Sequence, residues 1–535
     1  MRIRFDDALM YDGTGAAPVR GALLTDDGFI GGVFPAGAEA PSADRVIDVR
    51  GLALCPGFID THSHSDLVVL ESPMVWPKLR QGVTTEIYGQ DGISMAPLPK
   101  AYVAPWRKNL AGLEGTSDAI GWDYETTDGY LRLIEDRGAG VNAGYLVPHG
   151  NVRMEAMGLE ARIATDAELD TMCAVLRREL EAGGMGLSTG LIYPPCTYSD
   201  TRELTALCSV AAQFGRPLVI HQRSEADDIL ASMKEVLDIG RESGVHVHFS
   251  HFKLCGVYNE HKFEPVLEML DAARAEGLRV TFDQYPYVAG STMLSAILPP
   301  WAHAGGTDAL LERLRDSGER RRIMEDIRNT PSTWDNFVAF ATIDGIYVTS
   351  VQTAANADAV GKSLRELAEM RGEEPLEAAL NIILQEENGV GMVDFYGQEH
   401  HVARLLMRPE MNVCTDGLML GQPHPRTYGA FPRVLGKYVR ERGLMPLEEA
   451  VRKMTLQPAE TFGIAGRGAV RPGFRADLVV FDPNSVRDRG TYTDPRRHPD
   501  GIELVMVNGR IAYGSARVLG EEFFAEKPAG KVIRL

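Results

Sequence analysis

Eight short apolar runs alternate along the middle of this chain with amphipathic stretches of helical period, and no other feature narrows the fold as far. The runs are the strand opening the segment at Pro56, then Thr84 to Tyr88, Val141 to Val147, Gly186 to Thr189, Pro217 to His221, Val245 to His251, Arg279 to Tyr285 and Met411 to Asp416. Strands separated by helices must run parallel, because each crossover returns the chain to the same end of the sheet. Eight of them favour a distorted (β/α)8 TIM barrel over an open doubly wound sheet, and no Gly-rich dinucleotide turn follows the first run. The long gap between the seventh and eighth runs holds Leu298-Pro299-Pro300-Trp301 and the charged stretch Leu311-Glu312-Arg313-Leu314-Arg315, which reads as an inserted lid or subdomain at about 288–345.

The two ends of the chain have a different texture. Short β-rich pieces broken by turns, such as Asp12-Gly13-Thr14-Gly15 near the start and Asn508-Gly509 near the end, indicate antiparallel strands. We expect a small β-sandwich domain built from 1–55 and 466–535, with the barrel occupying 56–465. A chain of 535 residues exceeds what one core serves, which accords with two units. Lys and Arg number 55 against 74 Asp and Glu, and the net charge of −19 opposes attraction to nucleic acid or to an anionic membrane. No apolar run suggests a membrane span. The opening Met1-Arg2-Ile3-Arg4-Phe5 lacks a signal core, and six cysteines without C-x-x-C spacing read as free thiols, so the expected location is cytoplasmic. The expected partner is a small-molecule substrate, and a homo-oligomer is left open.

The first strand run carries the chemistry. Pro56-Gly57-Phe58-Ile59-Asp60-Thr61-His62-Ser63-His64-Ser65-Asp66 ends in two histidines spaced two apart, and strand geometry turns both imidazoles to one side. His221 and His251 end two later runs, and Asp416 ends the last, followed by Gly417. By alternation His251 shares a side with Val245, Val247 and Phe249, which leaves His246 and His248 structural. Alternation also turns Asp60 inward, where its carboxylate could orient an imidazole. Barrel chemistry sits at the C-terminal strand ends, so four imidazoles and a carboxylate there form a ligand set for one or two divalent ions. Zn2+ is the first choice, with Mn2+, Fe2+ or Co2+ also suitable.

These segments, with Ser250-His251-Phe252-Lys253 and Thr415-Asp416-Gly417, resemble the metal-dependent amidohydrolase superfamily. Gly186 to Pro195, Asp283-Gln284-Tyr285-Pro286-Tyr287 and His424-Pro425-Arg426-Thr427-Tyr428-Gly429 further resemble the N-acyl-D-amino-acid deacylase (D-aminoacylase) family, over nearly the whole chain. The resemblance implies hydrolysis of a non-peptide amide and a preference for D-amino acids. That family usually places a cysteine ligand in the loop after the second strand, where this chain has Asp91 in Gly89-Gln90-Asp91-Gly92. Asp91 is therefore either a ligand, giving a two-His, one-carboxylate set with His221 and His251, or an aspartate forming a tight turn before glycine. The fourth strand end lacks the lysine that some relatives carboxylate.

With such a site, Asp416 would take a proton from water and deliver it to the leaving nitrogen. An N-acyl amino acid presents a free carboxylate. Arg426 is the first choice to bind it, Lys253 points to the same mouth, Tyr193 and Tyr285 wall the pocket, and Arg223 competes as a carboxylate binder. His149, in Pro148-His149-Gly150-Asn151, would either donate a hydrogen bond to the oxyanion or serve only as a loop residue. A hydrolase of cyclic amides is the alternative within the same chemistry, and a non-catalytic scaffold ranks below both.

Overall fold

The computed structural model describes residues 1–329 and 333–535. Its centre is a distorted (β/α)8 barrel whose parallel strands pair in two arcs. In the first arc Phe58–Asp60 pairs with Val83–Tyr88, which pairs with Asn142–Tyr145. The second runs Val147–Pro148, Leu187–Gly190, Leu218–His221, Val247–Phe249, Val280–Gln284, Met411–Val413. Single contacts join the arcs: Leu146 N donates to Tyr88 O at 2.9 Å, and at the other seam Asp416 N donates to His62 O at 2.8 Å beside a Ser63–Gly417 bridge. The second seam draws the first and last strand ends together.

Strands such as Val83–Tyr88 are buried along their whole length, as a sheet wrapped by helices requires. The helices follow from their pattern. Asp166–Glu181 buries Leu169, Met172, Val175, Leu176 and Leu180, at three- and four-residue spacing, and Thr165 with Glu168 forms a capping box at its start. No helix among the described residues is long and apolar enough to cross a membrane.

Strands from both chain ends meet in one sheet, in the order Phe523–Phe524, Arg510–Gly514, Ile502–Val507, Leu478–Phe481, Ala53–Pro56, Arg2–Met10, Val19–Asp26, Phe29–Pro35, with Arg45–Asp48 also on Arg2–Met10. Where a sandwich was expected, hydrogen bonding is continuous, because Ala53–Pro56 pairs with Arg2–Met10 and with Leu478–Phe481. Residues of both halves, among them Phe5, Leu23, Leu54, Leu478 and Met506, share an apolar cluster separate from the barrel core.

The extra material before the last barrel strand runs on past 345. Ala289–Met293 and Ile346–Ser350 both pair antiparallel with Gly391–Phe395, and helices Thr307–Arg315, Ser317–Arg328, Leu364–Arg371 and Pro375–Gln385 accompany them. Of the expected insertion at 288–345, residues 330–332 lie outside the described residues.

Candidate metal centre

His62, His64, Asp91, His221, His251 and Asp416 are all buried and converge at the C-terminal strand ends. Three of them stand on left-handed backbone: Asp91 at φ 55°, His251 at φ 37° and Asp416 at φ 49°. Non-glycine residues adopt that region at a cost, so the surrounding structure must hold them there. For His251, alternation is not what sets its direction, since the strand ends at Phe249. The left-handed turn does, with His251 N donating to Asp283 Oδ1 at 2.5 Å. At the end of the last strand the positive φ is carried by Asp416 itself. The Asp91 loop is pinned by close approach, since a Cβ on Gly89 would lie 2.2 Å from Leu146 O.

The donor atoms form two overlapping groups. Nε2 of His62 and Nε2 of His64 are 3.3 Å apart, Asp91 Oδ2 lies 3.6 and 3.5 Å from them, and Asp416 Oδ1 lies 3.7 and 3.4 Å from them. In the second group His221 Nδ1 and His251 Nε2 are 3.0 Å apart, and Asp91 Oδ1 is 3.5 Å from His251 Nε2. Ligands at about 2.0 Å around a tetrahedral ion stand roughly 3.3 Å from one another, so both groups fit. Asp91 belongs to both, one oxygen to each. Its Oδ1 has no hydrogen-bond partner in the protein. Burial pushes the Asp91 carboxyl up, but His62, His251 and His64 outweigh it and hold the pKa well below the usual range. His221 is lowered to about 4, chiefly by burial, and so presents a neutral imidazole suited to a metal.

Carboxylates that the sequence reading did not single out stand behind the imidazoles. Glu225 Oε1 is 3.3 Å from His251 Nδ1 and Glu225 Oε2 is 3.6 Å from His221 Nε2, so one side chain faces the outer nitrogens of both. Its only sequence signal is its place four residues after His221. Glu114 Oε1 stands 3.2 Å from His64 Nδ1, and no motif marks it. Asp60, expected to orient an imidazole, does not. Its Oδ2 accepts from Lys78 Nζ at 2.7 Å and its Oδ1 from Thr415 N at 2.8 Å. Lys78 also meets Glu86 at 2.8 Å, and this fully buried network ties the first strand to the last beneath the site. His246 and His248 share Thr281 Oγ1, each at 2.8 Å, and His248 Nε2 also lies 3.0 Å from Asp283 Oδ2, so neither is a donor at the site.

Around the mouth, Arg426 is buried, with its guanidinium 4.3 Å from the centre of the Tyr285 ring and Nη1 2.9 Å from Asp416 Oδ2. Burial raises the Asp416 pKa, but Arg426, His62 and His64 overcome this and hold it far below the carboxylate range. Lys253 Nζ meets Glu225 Oε2 at 2.6 Å and lies 2.7 Å from His251 Nδ1. Tyr193 and Tyr285 line the same cavity, hydrogen-bonded to Thr292 and Tyr396, each at 2.8 Å. Arg223 pairs with Glu235 at 3.0 Å and does not line it. His149 is not brought to the mouth. Its Nδ1 is held by Thr189 at 2.9 Å and its Nε2 by Glu203 at 2.7 Å, which leaves no nitrogen for an oxyanion.

Comparison with known proteins identifies the family of the chain. The model of the Amidohydrolase family matches residues 45–513. D-aminoacylase of Alcaligenes xylosoxydans xylosoxydans is 35% identical over 493 residues, covering 92% of this chain and 89% of the relative. N-acyl-D-aspartate deacylase of the same organism is 35% identical over 528 residues, covering 98% and 93%. Among solved structures, N-acyl-D-glutamate deacylase from Bordetella bronchiseptica, complexed with zinc and a phosphonate mimic of the tetrahedral intermediate, superposes with a TM-score of 0.84 at 33% identity, covering 100% of this chain and 99% of that one.

Proposed function

The chain belongs to the amidohydrolase family, and from that membership we propose that it hydrolyses the linear amide bond of N-acyl-D-amino acids, releasing a carboxylate and a free D-amino acid. The observation that carries the reading is the Asp91 carboxylate, whose two oxygens reach His62 and His64 on one side and His251 on the other. His62, His64 and Asp91, with Asp416 beside them, would hold one ion, and Asp91, His221 and His251 a second. When bound, a divalent ion, zinc first with manganese, iron or cobalt as alternatives, supplies a Lewis acid for the scissile carbonyl and lowers the pKa of water toward roughly 7.

The side chains do the rest. Asp416 Oδ1 takes the proton of the attacking water and returns it to the amide nitrogen, which is a poor leaving group until protonated. Arg426 Nε has no hydrogen-bond partner in the protein and Nη1 is paired only with Asp416 Oδ2, so the guanidinium is the donor for the substrate carboxylate, with Lys253 as the second cation of the mouth. Substrate binding at Arg426 would also relax its pull on Asp416 Oδ2 and make that carboxylate a stronger base. Tyr285, beneath the guanidinium, keeps the fork in plane. Leu113, Phe337 and Phe340 line the cavity together with Asp394, which has no ion-pair partner among the described residues, and this wall suits an uncharged substrate side chain.

The test is a hydrolysis screen with zinc-reconstituted protein on matched N-acetyl-D- and N-acetyl-L-amino acids, with hydantoins and lactams alongside. Turnover of the D series, N-acetyl-D-methionine ahead of N-acetyl-D-glutamate, is the expected result. Activity confined to cyclic amides would overturn the substrate class, and L-selective turnover the stereochemistry.

A further inference from the structure

Outside the barrel mouth, Glu260, His400 and His401 bring three donor atoms within 4.8 Å of one another. Glu260 lies in the 3-10 turn Val257–Lys262, and the histidines open the helix Glu399–Leu406. Glu260 Oε1 is 3.0 Å from His400 Nε2, and Glu260 Oε2 is 2.8 Å from His401 Nε2. Neighbouring residues on a helix project about 100° apart, so two adjacent imidazoles do not ordinarily reach one carboxylate. Here they do because His401 lies flat on Phe263, ring centres 3.8 Å apart and planes 18° from parallel, while His400 tilts toward it with centres 4.3 Å apart. Gln398 donates to Glu260 Oε2 at 2.6 Å and fixes the carboxylate between them.

His401 is the second observation. It is only 4% exposed, yet its Nδ1 makes no hydrogen bond and its Nε2 meets only the Glu260 carboxylate in an ion pair. Buried imidazole nitrogens are rarely left so. We propose that Glu260, His400 and His401 form a second, surface site for a divalent transition metal of the Zn2+, Ni2+ or Cu2+ class, separate from the buried centre. Two imidazoles and one carboxylate are a donor set those ions favour, and an opening of a few tenths of an ångström brings the present spacing to the roughly 3.3 Å edge of a tetrahedral site. Water would complete the shell on the exposed side.

An ion there would join two segments that both lead to the mouth. Glu260 lies nine residues after His251, on the stretch that also carries Lys253, and His401 lies fifteen residues before Asp416. The ion is thus a clamp on the outside of the site rather than a participant in it. The experiment uses tag-free holoenzyme whose buried centre has been filled and whose excess metal has been removed by dialysis. Titration with Zn2+, followed by calorimetry and elemental analysis, is expected to show one further equivalent at micromolar affinity and a rise in Tm of roughly 2–5 °C at saturation. The exposed-residue variants His400→Ala and Glu260→Gln should lose that equivalent and the Tm rise, while keeping the metal content of the buried centre and the activity measured without added Zn2+. Identical titrations of wild type and both variants would overturn the proposal. Because the buried ions are counted in the same samples, that failure is distinct from a failure of the buried centre.

Discussion

Replacing Asp91 by asparagine preserves the size of the side chain and removes the charge that both ligand groups share. Its oxygens lie 3.5 Å from His64 Nε2 and from His251 Nε2, and an ion held by those nitrogens would stand no farther away. At an effective dielectric constant near 20, one pair of unit charges at that distance is worth about 5 kcal/mol, or more than a thousandfold in affinity. Asp91→Asn should therefore lose at least one equivalent of zinc on dialysis against nanomolar free metal, and kcat/KM on N-acetyl-D-methionine should fall by about three orders of magnitude. Asp91→Cys should keep its zinc, because a thiolate restores both the charge and a zinc donor. Elemental analysis and steady-state kinetics on the same preparations read both effects, with thermal unfolding to confirm the fold. Full metal content in Asp91→Asn, with activity within fivefold of wild type, would refute the role given to this carboxylate and leave Asp91 as a turn residue.

Glu225→Gln removes the carboxylate facing His221 and His251, and zinc affinity of that group should drop about 10- to 100-fold in competition with a chelator. Arg426→Lys keeps a cation but loses the fork, so KM for N-acetyl-D-amino acids should rise about tenfold or more, an effect that disappears on the matching N-acetyl amine without a carboxylate. His149→Ala should leave kcat/KM within a few-fold of wild type but lower stability by about 1–3 kcal/mol in denaturant unfolding, because Glu203 loses a buried partner. His149 has its pKa raised to about 9, burial and its opposing effect being outweighed by Cys196 and Glu203. A raised folded-state value means that its stabilisation is complete below the unfolded pKa of about 6.5 and fades as pH climbs through 9, so the gap between wild type and His149→Ala should narrow from pH 6 to pH 10.

Much of the site is legible from the sequence because strand ends repeat. His62, His64, His221 and Asp416 each close an apolar run, and the barrel carries every run to the same face. What stays hidden depends on contacts between residues distant in the chain. Alternation suggests that Asp60 turns inward with the histidines, but in the fold it faces the short helix Trp76–Leu79, whose Lys78 occupies the carboxylate instead of any imidazole. His149 follows a barrel strand as the other histidines do, yet it opens the helix His149–Met157 and is drawn to Glu203 and Thr189. Glu114 and Glu225 sit in stretches without periodicity, and only the folded chain brings them to the outer faces of the imidazoles. The inserted sheet escaped for a related reason, since Ile346–Ser350 and Gly391–Phe395 pair antiparallel outside the barrel and break the strand-helix rhythm that identifies the rest.

Anomalous diffraction at the zinc edge, from crystals of the zinc-loaded protein, tests the shared carboxylate most directly. The expected map has a peak within about 2.2 Å of each Asp91 oxygen, one beside His62 and His64 and the other beside His221 and His251. Peaks at those histidines with Asp91 turned away, or no peak among them at full zinc loading, would contradict it.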